Sequence, residues 1–298
     1  MVVSLRFNSK FQRKSLSLPC RSHPSTLRIE EELNKIKASC STTQSADSVS
    51  YGLSRVIELY NCLDDLLDSS ETRNLISSHR KEPWVEEVME GSMKLLDVCS
   101  SVRDVMLQME EHVRDIQCAL RRRKGHASME VGIEKYKRFR KKTTKDAKVM
   151  ITHLKQSEKV MGLLADPDNH HLTATIRVFM EVTEMTIVIF ESLLMFLVSP
   201  VSKRNGWSLV VSKLISKRTV ACQEDEKPYR VTNELETLDV ALNNVLCDGE
   251  DSWTENTRIS QFKLEGLQSK MMKIESGLEC MFRRFVKTRT TLLNIISM

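Results

Sequence analysis

The chain predicts an all-α protein, an elongated antiparallel helical bundle with coiled-coil-like seams behind a disordered basic N-terminal tail. Three observations predict it. Apolar residues recur at four-three spacing through several long segments, and each such segment carries one apolar stripe that needs a partner helix. Glycine and proline are sparse, at 9 and 6 of 298 residues, and almost none falls inside these segments. With 15 methionines and only 5% aromatic residues, the composition suits long helices and argues against an all-β fold. The clearest stripe is Leu264, Leu267, Met271, Ile274, Leu278, Met281, Phe285, Thr288, Leu292 and Ile295, in which only Thr288 is not apolar. A second seam, Val85, Met89, Ser92, Leu96, Cys99, Val102, Met106, Met109, Val113, Ile116 and Leu120, keeps nearly the same rhythm.

Residues 1–25 are rich in Ser, Arg and Lys, show no sustained period, and read as a disordered tail ahead of a helical bundle domain at 26–298. In that tail Ser15 and Ser17 lie beside Arg13 and Lys14, where they could accept phosphate. A hydroxyl cap at Ser25 or Thr26 starts a short helix through Ile29, Leu33 and Ile36, interrupted by the polar stretch from Ser39 to Ser48. Val49, Leu53, Val56, Tyr60, Leu63 and Leu67 give a second helix that ends before Ser69 and Ser70. Pro83 suits the first turn of the long helix carrying the second seam, about 55 Å in length. Gly125, after four consecutive cations, suits its C-terminal stop. A weakly apolar first half marks the next helix, at 129–164, with Ile133, Tyr136, Ala147, Met150, Leu154, Met161 and Leu164 on one side. The turn Asp166-Pro167-Asp168-Asn169 ends it. A strongly apolar helix then runs from Leu172 to Val198 and stops at Pro200. A short amphipathic segment around Trp207, Val210, Val211, Leu214 and Ile215 and a polar linker near 223–230 follow. The last helices run over about 232–247 and 254–297, separated by Asp248-Gly249-Glu250, which makes about six to eight helices in all.

The net charge of +5 conceals an asymmetry. Residues 1–28 carry six basic and no acidic residues, and residues 121–148 carry twelve basic against three acidic, so the remainder is net negative by ten. Eight cysteines stand no closer than 19 positions apart, which leaves no CxxC pair and reads as free thiols in a reducing compartment. No apolar run follows Met1, against a secretory signal peptide. The expected location is the cytoplasm, with membrane association as an alternative and organellar targeting, suggested by the acid-free start, as the weaker reading.

No phosphate-binding loop, dinucleotide fingerprint, nucleophile elbow or HExxH is present, and the seven histidines do not fall at metal-ligand spacings. The adjacent His170 and His171 read as a solvated pair, and the consecutive carboxylates Asp64 and Asp65, or Glu86 and Glu87, as solvated helix faces. The sequence thus offers no catalytic, cofactor-binding or metal-binding residue, implies no cofactor, and reads as a non-enzymatic protein. Its candidate functional feature is a patch for an anionic partner: Arg121, Arg122, Arg123, Lys124, Lys137, Arg138, Arg140, Lys141 and Lys142. Tyr136 and Phe139 interleave with these cations. An anionic membrane surface would attract the cations and accept the rings at its interface. Nucleic acid, the weakest of the partner readings, would use the cations on phosphates and the rings for stacking. The plainest alternative packs both rings into the bundle and leaves the cations in water. The stretch 185–198 is apolar but too short for a membrane span and contains Glu191, so it reads as a core helix.

Four ordered segments carry a family resemblance: Arg21-Ser22-His23-Pro24; Val88 through Cys99; Asp115-Ile116-Gln117 leading to Leu120 through Gly125; and Trp207 through Leu214. Across residues 21–298 the chain resembles the plant BYPASS-like family. The resemblance implies a plant-specific protein with no established biochemical activity. The family's namesake is linked to root and shoot development, where it restrains a mobile root-derived signal that arrests the shoot. The family defines no catalytic or ligand residues to carry over. Ile187, Val188 and Ile189 with Met195, Phe196 and Leu197 are more apolar than the family helix leads one to expect, which keeps membrane contact at 185–198 as an alternative. The expected role is that of a regulatory scaffold acting through helix-face contacts with protein partners, with an anionic-lipid-binding protein as the alternative and a homo-oligomer open to the seams.

Overall fold

The structure, a computed structural model, describes residues 24–39, 45–121, 126–157, 170–198, 233–247 and 250–298. These contain eight helices and no strand: α1 (Pro24–Ser39), α2 (Ala46–Asp68), α3 (Ser70–Ser78), α4 (Pro83–Arg121), α5 (His126–Ser157), α6 (His170–Val198), α7 (Glu234–Cys247) and α8 (Glu250–Ser297). The tail up to His23, the stop at Gly125, the turn at 166–169, the segment around Trp207, the linker at 223–230 and the Asp248-Gly249 turn lie outside the described residues.

α3 is the element that the apolar spacing does not announce. One hydroxyl makes it. Ser69 closes α2 by donating its backbone N–H to the Leu66 carbonyl, and its Oγ accepts the Thr72 N–H at 3.2 Å to cap α3. With nine residues and a single fully buried apolar side chain, Ile76, the helix is too short for a period to show.

Five helices form the core: α2, α4, α5, α6 and α8 touch in a ring in the order α8–α4–α5–α6–α2, and α2 returns to α8. The ion pairs and hydrogen bonds between α4 and α8 fix their direction. Met89 meets Arg289, Arg103 pairs with Glu279, and Arg121 pairs with Glu265, so the two run antiparallel. α7 lies antiparallel on α8, with Thr237 level with Lys263 and Glu234 with Lys270. Five is an odd number, so a ring of alternating helices must contain a parallel pair. Here it is α2 and α8, in which Asp47 meets Lys270 and Asp64 meets Arg284. α1 covers α2 and α6 from outside.

Every residue of the final seam from Leu264 to Ile295 is buried, as its spacing requires. Thr288 fits because its hydroxyl donates to Asp64 Oδ1 at 3.0 Å, while Arg284 and Lys287 donate to Oδ2 at 3.2 and 2.8 Å. Asp64 is therefore buried and bonded, against the solvated face read from the sequence, whereas Asp65 is exposed and pairs with Arg28. α2 is buried on several sides because α1, α6 and α8 all pack on it. Two glycines let its neighbours close in. A Cβ at Gly277 would stand 3.2 Å from Leu53, and one at Gly52 would stand 3.0 Å from Ile189. The run at 185–198 is core: Ile187, Ile189, Phe190, Leu193, Leu194, Phe196 and Leu197 are buried. Among the described residues no helix is long and apolar enough to cross a membrane.

Candidate anionic-partner interface

α5 is the helix on which the candidate cations divide. Met129, Ile133, Tyr136, Arg140, Thr143, Ala147, Met150 and Leu154 follow steps of four and three along its inner face, and all but the half-buried Met150 are buried. Arg140 occupies a seam position. It is completely buried, donates from Nη1 to the Leu197 carbonyl at 2.7 Å and from Nη2 to Asp239 Oδ2 at 3.2 Å. Arg140 is thus withdrawn from any surface patch. It ties α5 to α7 and supplies a positive group at the C-terminal end of α6, where carbonyls are unpaired by the helix itself and the dipole is negative. Asn233 completes the junction, donating to the Phe196 carbonyl and accepting the Glu236 N–H. Burial pushes the Asp239 carboxyl above its usual range despite the pull of Arg140, and raises the neighbouring Tyr136 phenol well above its own.

Tyr136 and Phe139 also face inward, and Phe139 stacks at 4.7 Å on His112 of α4. Neither ring is placed to stack on a base or dip into a bilayer. The outer face repeats the inner rhythm: Val131, Lys135, Arg138, Lys142, Lys145 and Val149 are all exposed at steps of four and three. Lys141 is exposed beside them. Among the described residues Lys135, Arg138, Lys141, Lys142 and Lys145 have no acidic partner within ion-pair distance. Lys137 is half-buried and paired with Glu134, and Arg121 with Glu265 across the α4–α8 contact. Arg122, Arg123 and Lys124 lie outside the described residues. Lys135 and Lys145, which the candidate patch omitted, belong to the face by the same four-three spacing that located the core.

α4 adjoins this face with the opposite sign. Glu86, Asp97, Asp104, Glu111 and Asp115 are exposed along its outer side. None of them has a basic partner within ion-pair distance among the described residues. The remaining features offer little chemistry. The cleft between α2, α4, α6 and α8, lined by Tyr60, Leu95, Phe179 and Phe285, holds about 30 Å³, room for about one or two waters. Cys99 is buried, donates to the Leu278 carbonyl at 3.7 Å, and has its thiol pushed up to about 12 by burial. Among the described residues no three His, Cys, Asp or Glu side chains converge as metal ligands would.

A family model described as Protein BPS1 matches residues 52–295. The chain belongs to this family. The BPS1 match runs from Gly52, at the close approach of α2 to α6, to Ile295 in the last turn of α8, and so includes the whole of α4, α5 and α6 and most of α2 and α8. Membership makes this a plant-specific, BYPASS-like protein related to development, in a family not known for enzymatic activity. No curated protein and no solved structure matches the chain.

Proposed function

We propose that this BPS1-family chain is a non-enzymatic regulatory scaffold of plant root and shoot development, working in the cytoplasm by presenting helix faces to protein partners. The outer face of α5 is the docking surface, and its partner is acidic. One observation carries this reading. Five cations stand in water on one side of a helix whose Tyr136, Phe139 and Arg140 are committed to the core, so the charge is available to a partner at no cost to the fold. The acidic face of α4 alongside favours a protein partner over an anionic bilayer, because a flat negative surface drawn to α5 would meet the carboxylates of α4 as well.

The test is genetic rescue. A full-length variant carrying Lys135, Arg138, Lys141, Lys142 and Lys145 as Gln is expressed in plants that lack the protein and compared with wild type. The variant should melt as wild type does and fail to restore root and shoot growth. Full rescue by a normally folded variant sinks the reading. Failure accompanied by loss of binding to acidic phospholipid vesicles would favour the peripheral membrane alternative.

A further inference from the structure

We infer that the acidic partner of α5 is α4 of a second copy of this chain, so that the α4–α5 hairpin is the interface of a symmetric dimer. The inference rests on the docking role given to α5 above and names its occupant. Its ground is the placement of two complementary faces on one wall of the molecule. α4 and α5 run antiparallel, with His112 against Phe139. Asp104, Glu111 and Asp115 therefore stand beside the stretch of α5 that carries Lys135, Arg138, Lys142 and Lys145, at matching heights. All seven are exposed. None has an opposite charge within ion-pair distance among the described residues.

Symmetry selects the arrangement. A two-fold axis parallel to the helices keeps heights and exchanges left for right, so α4 of each copy faces α5 of the other and the complementary contact is made twice. A two-fold axis across the helices would set α4 against α4 and α5 against α5, placing like charges together. Leu107 on α4 and Val131 and Val149 on α5, each about half exposed, add apolar surface to the same wall. Pairs of this kind between exposed side chains are individually weak and screened by salt, so the dimer is reversible and forms best at low ionic strength.

The experiment is sedimentation velocity on the full chain. Wild type should dimerise at micromolar concentration in low salt and dissociate in roughly 0.5 M salt. Arg138→Glu with Lys142→Glu should weaken the dimer at least about tenfold, and so should Asp104→Lys with Glu111→Lys. Mixing the two double variants should restore it, because one copy then has two acidic helices and the other two basic ones. Restoration by mixing is a result that general loss of folding cannot produce. A wild-type chain that stays monomeric in low salt overturns the inference, as do variants that dimerise normally or a mixture that remains monomeric. Monomeric protein that binds phosphatidylserine vesicles through Arg138 and Lys142 overturns it in favour of a bilayer. None of these outcomes decides the scaffold reading, which stands or falls on the rescue of growth.

Discussion

The two faces of α5 each carry an arginine, and the two arginines do opposite work. Arg138 and Arg140 are two positions apart. Arg138 is exposed with no acidic partner among the described residues, and Arg140 is fully buried and bonded to Asp239 and the Leu197 carbonyl. On a helix a step of two residues turns the side chain through about 200°, enough to carry it from water into the core. A run of cations is therefore not one patch, and its function has to be assigned residue by residue.

If the inner face is structural and the outer face is not, substitutions should separate them by size of effect. The largest loss is expected where an unpaired charge enters the core. Ile274→Asp, at a completely buried position of α8, should abolish cooperative unfolding in thermal or urea melts, and an unchanged transition would remove that seam from the core. Next come the members of the buried ion pair. Arg140→Met or Asp239→Leu alone should lower stability by about 3–5 kcal/mol, since each strands a buried charge. The two together should recover most of that loss, because an apolar pair has no desolvation to overcome. A double variant as weak as either single one would mean that the Leu197 carbonyl, not the ion pair, is what Arg140 serves.

Thr288→Val is a smaller step, expected to cost about 1–2 kcal/mol in urea unfolding, because Asp64 keeps Arg284 and Lys287 when it loses the hydroxyl. The smallest effect belongs to the outer face. Gln at Lys135, Arg138, Lys141, Lys142 and Lys145 should shift stability by no more than about 0.5 kcal/mol per site in the same assay. A large loss there would show that these cations support the fold.

The inner and outer carboxylates also part in their pH dependence. Burial holds Asp239 above its ordinary value, so the folded state takes up this proton first as pH falls. Its contribution to stability is greatest below the unfolded pKa near about 4 and declines as pH rises through the raised value. Asp47 is held below its ordinary value by the hydrogen bond from Lys270, so its contribution is present above about pH 4 and is lost as pH falls through the lowered value. Urea unfolding across this range should therefore find wild type losing ground to the Arg140→Met, Asp239→Leu variant as pH rises from about 4. A constant difference between the two proteins would contradict the raised value.

Most of the helices and their buried stripes are local facts that the sequence alone determined, although on α4 the seam positions Met89, Ser92 and Leu96 are only half-buried, and Leu95 and Val98 are buried instead. The spacing at 264–295 is enough to place ten residues of α8 in the core, and the stripe at 49–67 does the same for α2, because an amphipathic helix has one side to hide. Arg140 stands on such a stripe, yet its charge places it with the surface cations when the sequence is read alone. It and Thr143 fill the only polar steps between Tyr136 and Ala147, but a cation on a seam reads as a break in the seam until a partner is known. That partner, Asp239, lies 99 residues away and has no local signature. α3 stayed hidden because a serine hydroxyl and one buried isoleucine leave no period.

Tertiary structure alone decided which stripe meets which. It set α2 parallel to α8, brought Leu53 against Gly277, buried Asp64 among three donors on α8, and stood the acidic side of α4 beside the basic side of α5. The physical reason is range. Periodicity and capping act over a few residues along one helix, whereas ion pairs, close glycine contacts and neighbouring charged faces join positions up to more than two hundred residues apart, whose meeting depends on the order and direction in which the helices pack.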